Sequence, residues 1–121
     1  MRIFKHRQFQ QWMKGEDVTD GMLKEAVAEM VVGLRDVSLG SGLYKKRIAA
    51  PGKGKSGGYR TLIAFKSAFR AFFIYGFSKN EKANITVNEK CVYRRLSRIL
   101  LEADESTLNT MLHIGSLIEV I

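Results

Sequence analysis

Two apolar runs, Tyr59–Phe65 (YRTLIAF) and Ala71–Phe77 (AFFIYGF), constrain this chain more than any other feature. Both are rich in Phe, Ile, Tyr or Thr and too short to favour helices, a composition that suits packed, pleated strands. A short segment around Lys66 to Arg70 separates them. They therefore read as adjacent antiparallel strands, substantially buried by helices on one face. A glycine-rich cationic loop, GKGKSGG from Gly52 to Gly58, enters the first run, and Lys79-Asn80-Glu81-Lys82 follows the second.

The remaining segments supply the helices. Arg2–Lys5 reads as a short edge strand, and Phe9, Trp12 and Met13 then fall on one face of a short helix. Thr19 is an N-cap candidate with Asp20 in the first turn, where a negative charge suits the helix dipole. Leu23, Ala26, Val27, Met30 and Leu34 recur at helical spacing, and the pattern ends near Gly33 to Arg35. Gly40-Ser41-Gly42 is a turn, and Leu43–Ala49 (LYKKRIA) is a strand leading to Pro51. Asn88 is placed as the cap of a helix whose apolar stripe is Val92, Leu96, Ile99, Leu100 and Ala103, with Cys91 a packing residue at its edge. Lys90, Arg94 and Arg98 form a basic ridge on its other side. Ser106 caps a final short helix stopped by Gly115, and Leu117–Ile121 adds a terminal strand. The sum is an α+β fold: helices on a small, mainly antiparallel sheet, in one domain spanning 1–121.

Charge is distributed unevenly. The net charge is +8, but residues 43–82 hold ten bases against the single acid Glu81, whereas residues 15–42 hold six acids and two bases. Clustered Lys and Arg concentrate polyanions and release counterions on binding them. With Tyr44, Tyr59, Phe65 and Tyr75 interleaved, the segment points to nucleic acid as the partner. Lys45, Lys46, Arg47, Tyr59, Arg70, Asn80 and Lys82 are the candidate RNA contacts. No apolar run approaches the ~18–20 residues needed to span a bilayer. One cysteine, Cys91, excludes an internal disulfide framework, so a reducing cytoplasmic location is expected.

The spacing of ligand-type residues suggests no metal site and no cofactor. His6 and His113 lie near opposite ends of the chain, and a His–His acid/base pair requires those ends to meet. The glycine loop is not a P-loop, because the GxxxxGK[ST] spacing places Ala49 where the first glycine belongs. A cationic cluster remains: Lys53 and Lys55 on the loop, Arg60 at the start of one strand and Lys79 after the other. On antiparallel neighbours, Arg60 and Lys79 should lie near each other. Such a cluster holds a scissile phosphate and stabilises the charge of a phosphoryl-transfer transition state. RNA carries its own nucleophile, the 2′-OH, so the protein need add only positioning, charge and an acid or base. Lys53, Lys55, Tyr59 and Glu81 are the candidates for that last group.

In this order, KSGGYRTLIAF and YGFSKNEKANI resemble the RelE/ParE superfamily of toxins from bacterial toxin–antitoxin pairs, and most closely its HigB-type members. The likeness runs from AVAEMVVGL to the closing GSLIEVI. It implies a RelE-like fold, with two N-terminal helices on an antiparallel sheet and then a C-terminal helix. It also implies a translation inhibitor that cuts mRNA in the ribosomal A site by 2′-OH attack, restrained by a cognate antitoxin of helix-turn-helix class. The family's strand-borne phosphate-binding arginine falls on Arg60 and its loop lysines on Lys53 and Lys55. Its second arginine falls on Asn80 and its late tyrosine on Thr86, while Lys79 and Glu81 are retained. The catalytic set implied is Arg60, Lys53, Lys55, Lys79 and Glu81. Two other readings stay open at this point: a ParE-like toxin that poisons gyrase by protein binding, and an RNA-binding module without activity.

Overall fold

A computed structural model describes residues 1–50, 52, 54–67, 69–79 and 81–121, with the side chains of 54–57 excepted. The two apolar runs form the centre of a six-stranded sheet. Its strands are β1 (Arg2–His6), β2 (Val37–Gly40), β3 (Leu43–Ala50), β4 (Gly54–Lys66), β5 (Arg70–Ser78) and β6 (Leu117–Val120), in the order β2-β3-β4-β5-β1-β6. β1 runs parallel to β5, and every other pairing is antiparallel. β1 is thus an interior strand between β5 and β6, where an edge strand was expected. Its pairing with β6 brings the two ends of the chain together.

Among the described residues, four helices cover this sheet: α1 (Arg7–Lys14), α2 (Asp20–Val31), α3 (Val87–Glu102) and α4 (Glu105–His113). The expectation that helices bury the β4–β5 pair on one face is corrected, because both faces are covered. On one face Tyr59, Ile63, Phe65, Ala71 and Phe73 pack with Phe9 of α1 and with Leu23, Ala26, Val27 and Met30 of α2. On the other, Leu62, Ala64, Phe72 and Ile74 pack with Phe4 of β1, Leu100 of α3 and Leu108 of α4. Burial on both sides explains why the two strands read as continuous apolar runs rather than alternating ones.

Close backbone approaches fix two glycines. A Cβ on Gly58 would lie 2.2 Å from the carbonyl oxygen of Ile48, at the irregularity where β3 slips its register against β4. A Cβ on Gly76 would lie 2.3 Å from the indole ring of Trp12, so the α1 aromatic seats directly on β5.

The caps of the C-terminal helices differ from expectation. Thr86, not Asn88, caps α3: its Oγ1 accepts the Glu89 N–H at 3.1 Å, and the Glu89 carboxylate accepts the Thr86 N–H at 2.7 Å. This reciprocal box beats a single Asn cap because it satisfies two orphan donors. Asp104, not Ser106, caps α4 through the Thr107 N–H at 2.7 Å. The apolar stripe of α3 is also rotated. Tyr93, Leu96, Ser97 and Leu100 face the core, Val92 and Ile99 are exposed, and Cys91 is exposed rather than packed.

The acidic α2 docks through buried lysines. Lys46 is fully buried, with its Nζ 2.6 Å from Glu29 Oε1, and the buried Lys5 Nζ lies 2.8 Å from Asp20 Oδ1. A buried ammonium is tolerated only when paired. Lys46→Ala, which takes this cation from beneath α2, should destabilise the fold by about 2–4 kcal/mol. Arg47→Ala, one residue along on the exposed face, should cost within about 1 kcal/mol. Urea denaturation of the two variants checks the contrast, and equal midpoints would contradict it.

Candidate functional site

The two faces of the sheet are not covered to the same extent. Alternation along β3 and β4 places Lys45, Arg47 and Arg60 on the same face as Leu43, Leu62 and Ala64, but beyond the reach of the α3–α4 core. These three cations, with Asp36 and Val37, line an open cleft of about 380 Å³. Arg47 and Arg60 occupy directly opposed positions in the β3–β4 register. Like charges so placed destabilise a sheet, which marks the pair as a feature kept for something other than the fold.

Asp36 sits at the rim. It adopts a left-handed backbone (φ 60°), a conformation that Asp tolerates better than most residues. Its Oδ2 accepts the Arg47 backbone N–H at 2.7 Å, and the carboxylate lies 3.8 Å from Arg47 Nε and 3.9 Å from Lys46 Nζ. Asp36 thereby closes the edge of β3 beyond the end of β2 and offsets part of the local positive charge. Lys45 Nζ lies 3.3 Å from Asn84 Oδ1, which ties the strand to the loop before α3.

An aromatic group lines a separate groove, where Tyr75 and Phe77 meet Trp12, Glu81 and Lys82. Tyr75 of β5 stacks on Tyr93 of α3, with ring centroids 5.1 Å apart and planes 21° apart, and Phe77 lies 5.8 Å from Tyr75. Phe77 is also the register partner of Arg60. Lys82 Nζ lies 5.6 Å from the centre of the Tyr75 ring and 2.6 Å from Glu89 Oε1. The bond to Glu89 holds the Lys82 pKa above its ordinary value and the Glu89 pKa below its own. Burial, then the neighbouring Tyr75, pushes the Tyr93 phenol above its ordinary value. Tyr93 was missed in the sequence because the stripe of α3 was placed one residue out of phase. The spacing Tyr93, Leu96, Leu100 carries the signal.

The other expected site residues divide sharply. Lys79 is exposed in the turn after β5, at the same end of the β4–β5 pair as Arg60, since Tyr59 faces Ser78 and Arg60 faces Phe77. Glu81 is exposed nearby, and Lys82 is engaged as described. Tyr59 lies on the opposite face, buried, with its hydroxyl accepting the Asp17 N–H at 3.3 Å, so it neither meets Arg60 nor serves as a base there. Lys46 is corrected from RNA contact to buried anchor of α2. Arg70 is likewise withdrawn: it is buried, donates to the Ala103 carbonyl at the end of α3, and pairs with Glu105 of α4 at 3.3 Å. Thr86 is used as a cap. Lys53, Asn80 and the side chain of Lys55 lie outside the described residues.

Although the chain ends meet, His6 is used locally. Its Nδ1 accepts the Gln8 N–H at 3.3 Å as the cap of α1, and burial, with Arg7 beside it, lowers its pKa. Among the described residues, no group of three or more His, Cys, Asp or Glu side chains is placed to hold a metal ion. A groove of about 90 Å³ between α2 and β3 is of mixed sign, with Glu25, Glu29 and Arg47 in its lining and Glu29 already paired with Lys46.

Glu81 is held ionised by its own turn. The Ser78 hydroxyl donates to Glu81 Oε1 at 2.8 Å and the Ser78 N–H at 3.2 Å, and these bonds lower its pKa. A depressed carboxylate pKa contributes stability above the unfolded pKa that is lost as pH falls through the folded one. It also makes Glu81 a weaker base at neutral pH. Ser78→Ala should raise the Glu81 pKa toward the ordinary carboxylate value, which carbon NMR titration reads directly. An unchanged pKa would mean that the turn does not hold the carboxylate in solution.

A family model described as the RelE toxin of the RelE/RelB toxin–antitoxin system matches residues 1–120. A search of curated proteins gave no match. The matched span takes in every strand and helix and both walls of the cationic cleft. The chain therefore belongs to the RelE toxin family, as the toxin of a toxin–antitoxin system with an antitoxin for its partner.

Proposed function

We propose that this chain is a HigB-like, metal-independent endoribonuclease that cuts mRNA in the ribosomal A site and so blocks translation in the cytoplasm, restrained by an antitoxin of helix-turn-helix class. The observation that carries this reading is the convergence of Lys45, Arg47 and Arg60 on one open cleft in a RelE-family chain. Among the described residues, no helix is long and apolar enough to cross a membrane.

In this reading the scissile phosphate lies over Arg60, with Lys45 and Arg47 on the flanking backbone and Lys79 at the end of the β4–β5 pair. The RNA 2′-oxygen attacks the adjacent phosphorus and loses its proton to a base, drawn from Lys53, Lys55 and Glu81. The bond from phosphorus to the 5′-oxygen breaks, and that oxygen takes up a proton. The products are a 2′,3′-cyclic phosphate and a 5′-hydroxyl. Negative charge grows on the non-bridging oxygens in the transition state, and fixed guanidinium and ammonium groups stabilise it without reorganisation. Half-buried Tyr75, with Lys82 over its ring and Tyr93 behind it, is the aromatic side chain in this reading nearest to an unstacked base.

The test is an in vitro translation reaction with purified protein, mapping mRNA 5′ ends by primer extension with and without ribosomes. Cuts at A-site codons that require ribosomes are expected. Arg60→Ala should lower cleavage by about 10²–10³-fold, the usual loss for one preorganised donor, with the circular dichroism spectrum unchanged. Undiminished cleavage by a folded Arg60→Ala protein would remove Arg60 from the site. Absence of cuts by folded wild-type protein would favour a gyrase-poisoning or purely binding role.

A further inference from the structure

The basic ridge on α3 has no part in the site described above. Lys90, Arg94 and Arg98 follow one another at four-residue intervals, so they form a single row along the helix with about 6 Å of rise between neighbours. Among the described residues, no acid lies within ion-pairing distance of any of the three. Of the two acids of α3, Glu89 is held by Lys82, and Glu102, four residues after Arg98, closes the far end of the row in the same cleft without an ion pair to it. A row of three cations without ion-pair partners on a stable helix attracts a polyanion and gains counterion release when phosphates replace the condensed ions.

The row is continuous with other cations at both ends. The Arg94 guanidinium packs over Gly40, where a Cβ would lie 3.4 Å from its Nε, so the middle of the row stands beside the β2–β3 turn. At the far end, Arg98 and Lys66 line an open cleft of about 320 Å³ with Ser41, Gly42 and Leu101. At the near end, Lys90 follows the Asn84 loop to which Lys45 is tied. The row therefore continues the cationic surface of the cleft away from Arg60.

Its chemistry differs from that of the cleft. On α3 the exposed side chains beside the row are Val87, Cys91 and Glu102, none of them aromatic, and Tyr93 is turned inward onto Tyr75; the exposed ring at the far end is Phe69, which lies off the helix, against Lys66. Proteins that follow single strands stack bases on aromatic rings. A straight row of cations spaced like successive phosphates, without such rings, suits the backbone of a regular duplex, which is read by shape and phosphate contact.

We infer that the Lys90–Arg94–Arg98 face of α3 is a second RNA-binding surface, which grips the phosphate backbone of an A-form RNA duplex while the cleft engages the strand to be cut. This inference rests on the nucleic-acid reading of the cleft, but its test does not use cleavage. The probe is a fluorescent RNA duplex of about 16 base pairs, the span of a double-stranded-RNA-binding module. It carries 2′-O-methyl groups, which cannot undergo 2′-OH attack. Its binding to the full chain is followed by anisotropy across a series of KCl concentrations.

The variant Lys90→Gln/Arg94→Gln/Arg98→Gln keeps good helix formers at all three positions. It should reduce the slope of log K against log [KCl] by about 2–3, close to one for each phosphate no longer gripped. Binding of a single strand of the same length should change much less. If removing the guanidinium that packs over Gly40 unfolds the triple variant, Lys90→Gln/Arg98→Gln should still lower the slope by about 1–2. A folded variant with an unchanged slope would overturn the inference. So would an equal reduction for the single strand, or for a B-form DNA duplex, because either would leave nothing specific to the RNA duplex. Failure of cleavage in the translation assay, with the duplex slope as expected, would overturn the cleavage reading and leave this surface standing.

Discussion

Burial of the β4–β5 pair on both faces is the constraint on which the rest of this protein depends. Phe72 and Phe73, adjacent on β5, point into different cores, one shared with α3 and α4 and the other with α1 and α2. A strand sandwiched in this way cannot slip by one residue without exchanging its two apolar sets, so the register is firmly held. The local bulge at Leu62/Ile63 is absorbed within that frame. Arg60 and Phe77 are therefore fixed opposite each other by packing several residues away from the site.

The same arrangement creates the cleft, because the two covers have different lengths. Helix α1 and the connection from it to α2 reach as far as Tyr59, through Trp12 at 5.5 Å and the Asp17 N–H. On the other face, the α3–α4 core begins at Leu62 on β4, and the strand beyond it carries Arg60 to the wall of the open cleft. Tyr59 and Arg60 are neighbours in sequence, yet one is buried in a core and the other lines a cleft. The difference is one step of strand alternation combined with the uneven helical cover.

Sorting of the bases follows from desolvation. An ammonium or guanidinium can leave water only where an acid or carbonyl receives it. Lys5 and Lys46 meet acids of α2, and Arg70 meets Glu105 and the end of α3. The acidic character of residues 15–42 is in part the complement of these buried lysines. Arg47, one step from Lys46 on the same strand, turns to the opposite face and stays in contact with water. Within one LYKKRIA strand, the chain thus places a structural cation beside two that line the cleft.

Much of the fold was legible from local pattern. The strands over Leu43–Ala49 and the two apolar runs, the helix capped by Thr19 and the small terminal strand all follow from periodicity and capping chemistry, which act over a few residues. The cationic character of the middle segment and Arg60's place within it were legible too, since composition and the GYR motif carry them. Local pattern could not separate Lys46 from Lys45 and Arg47, give the phase of the α3 stripe, or show that β1 lies inside the sheet. Each of these depends on a partner distant in sequence: Glu29 for Lys46, Tyr75 for Tyr93, β5 and β6 for β1. The sequence by itself determined most of the segments that become strands and helices, though not β2 at Val37–Gly40, and that positive charge gathers near Arg60. Only the tertiary structure decided which of those charges are spent inside the fold and which face the cleft, because burial, and with it the cost of leaving a charge unpaired, exists only once distant segments have packed together.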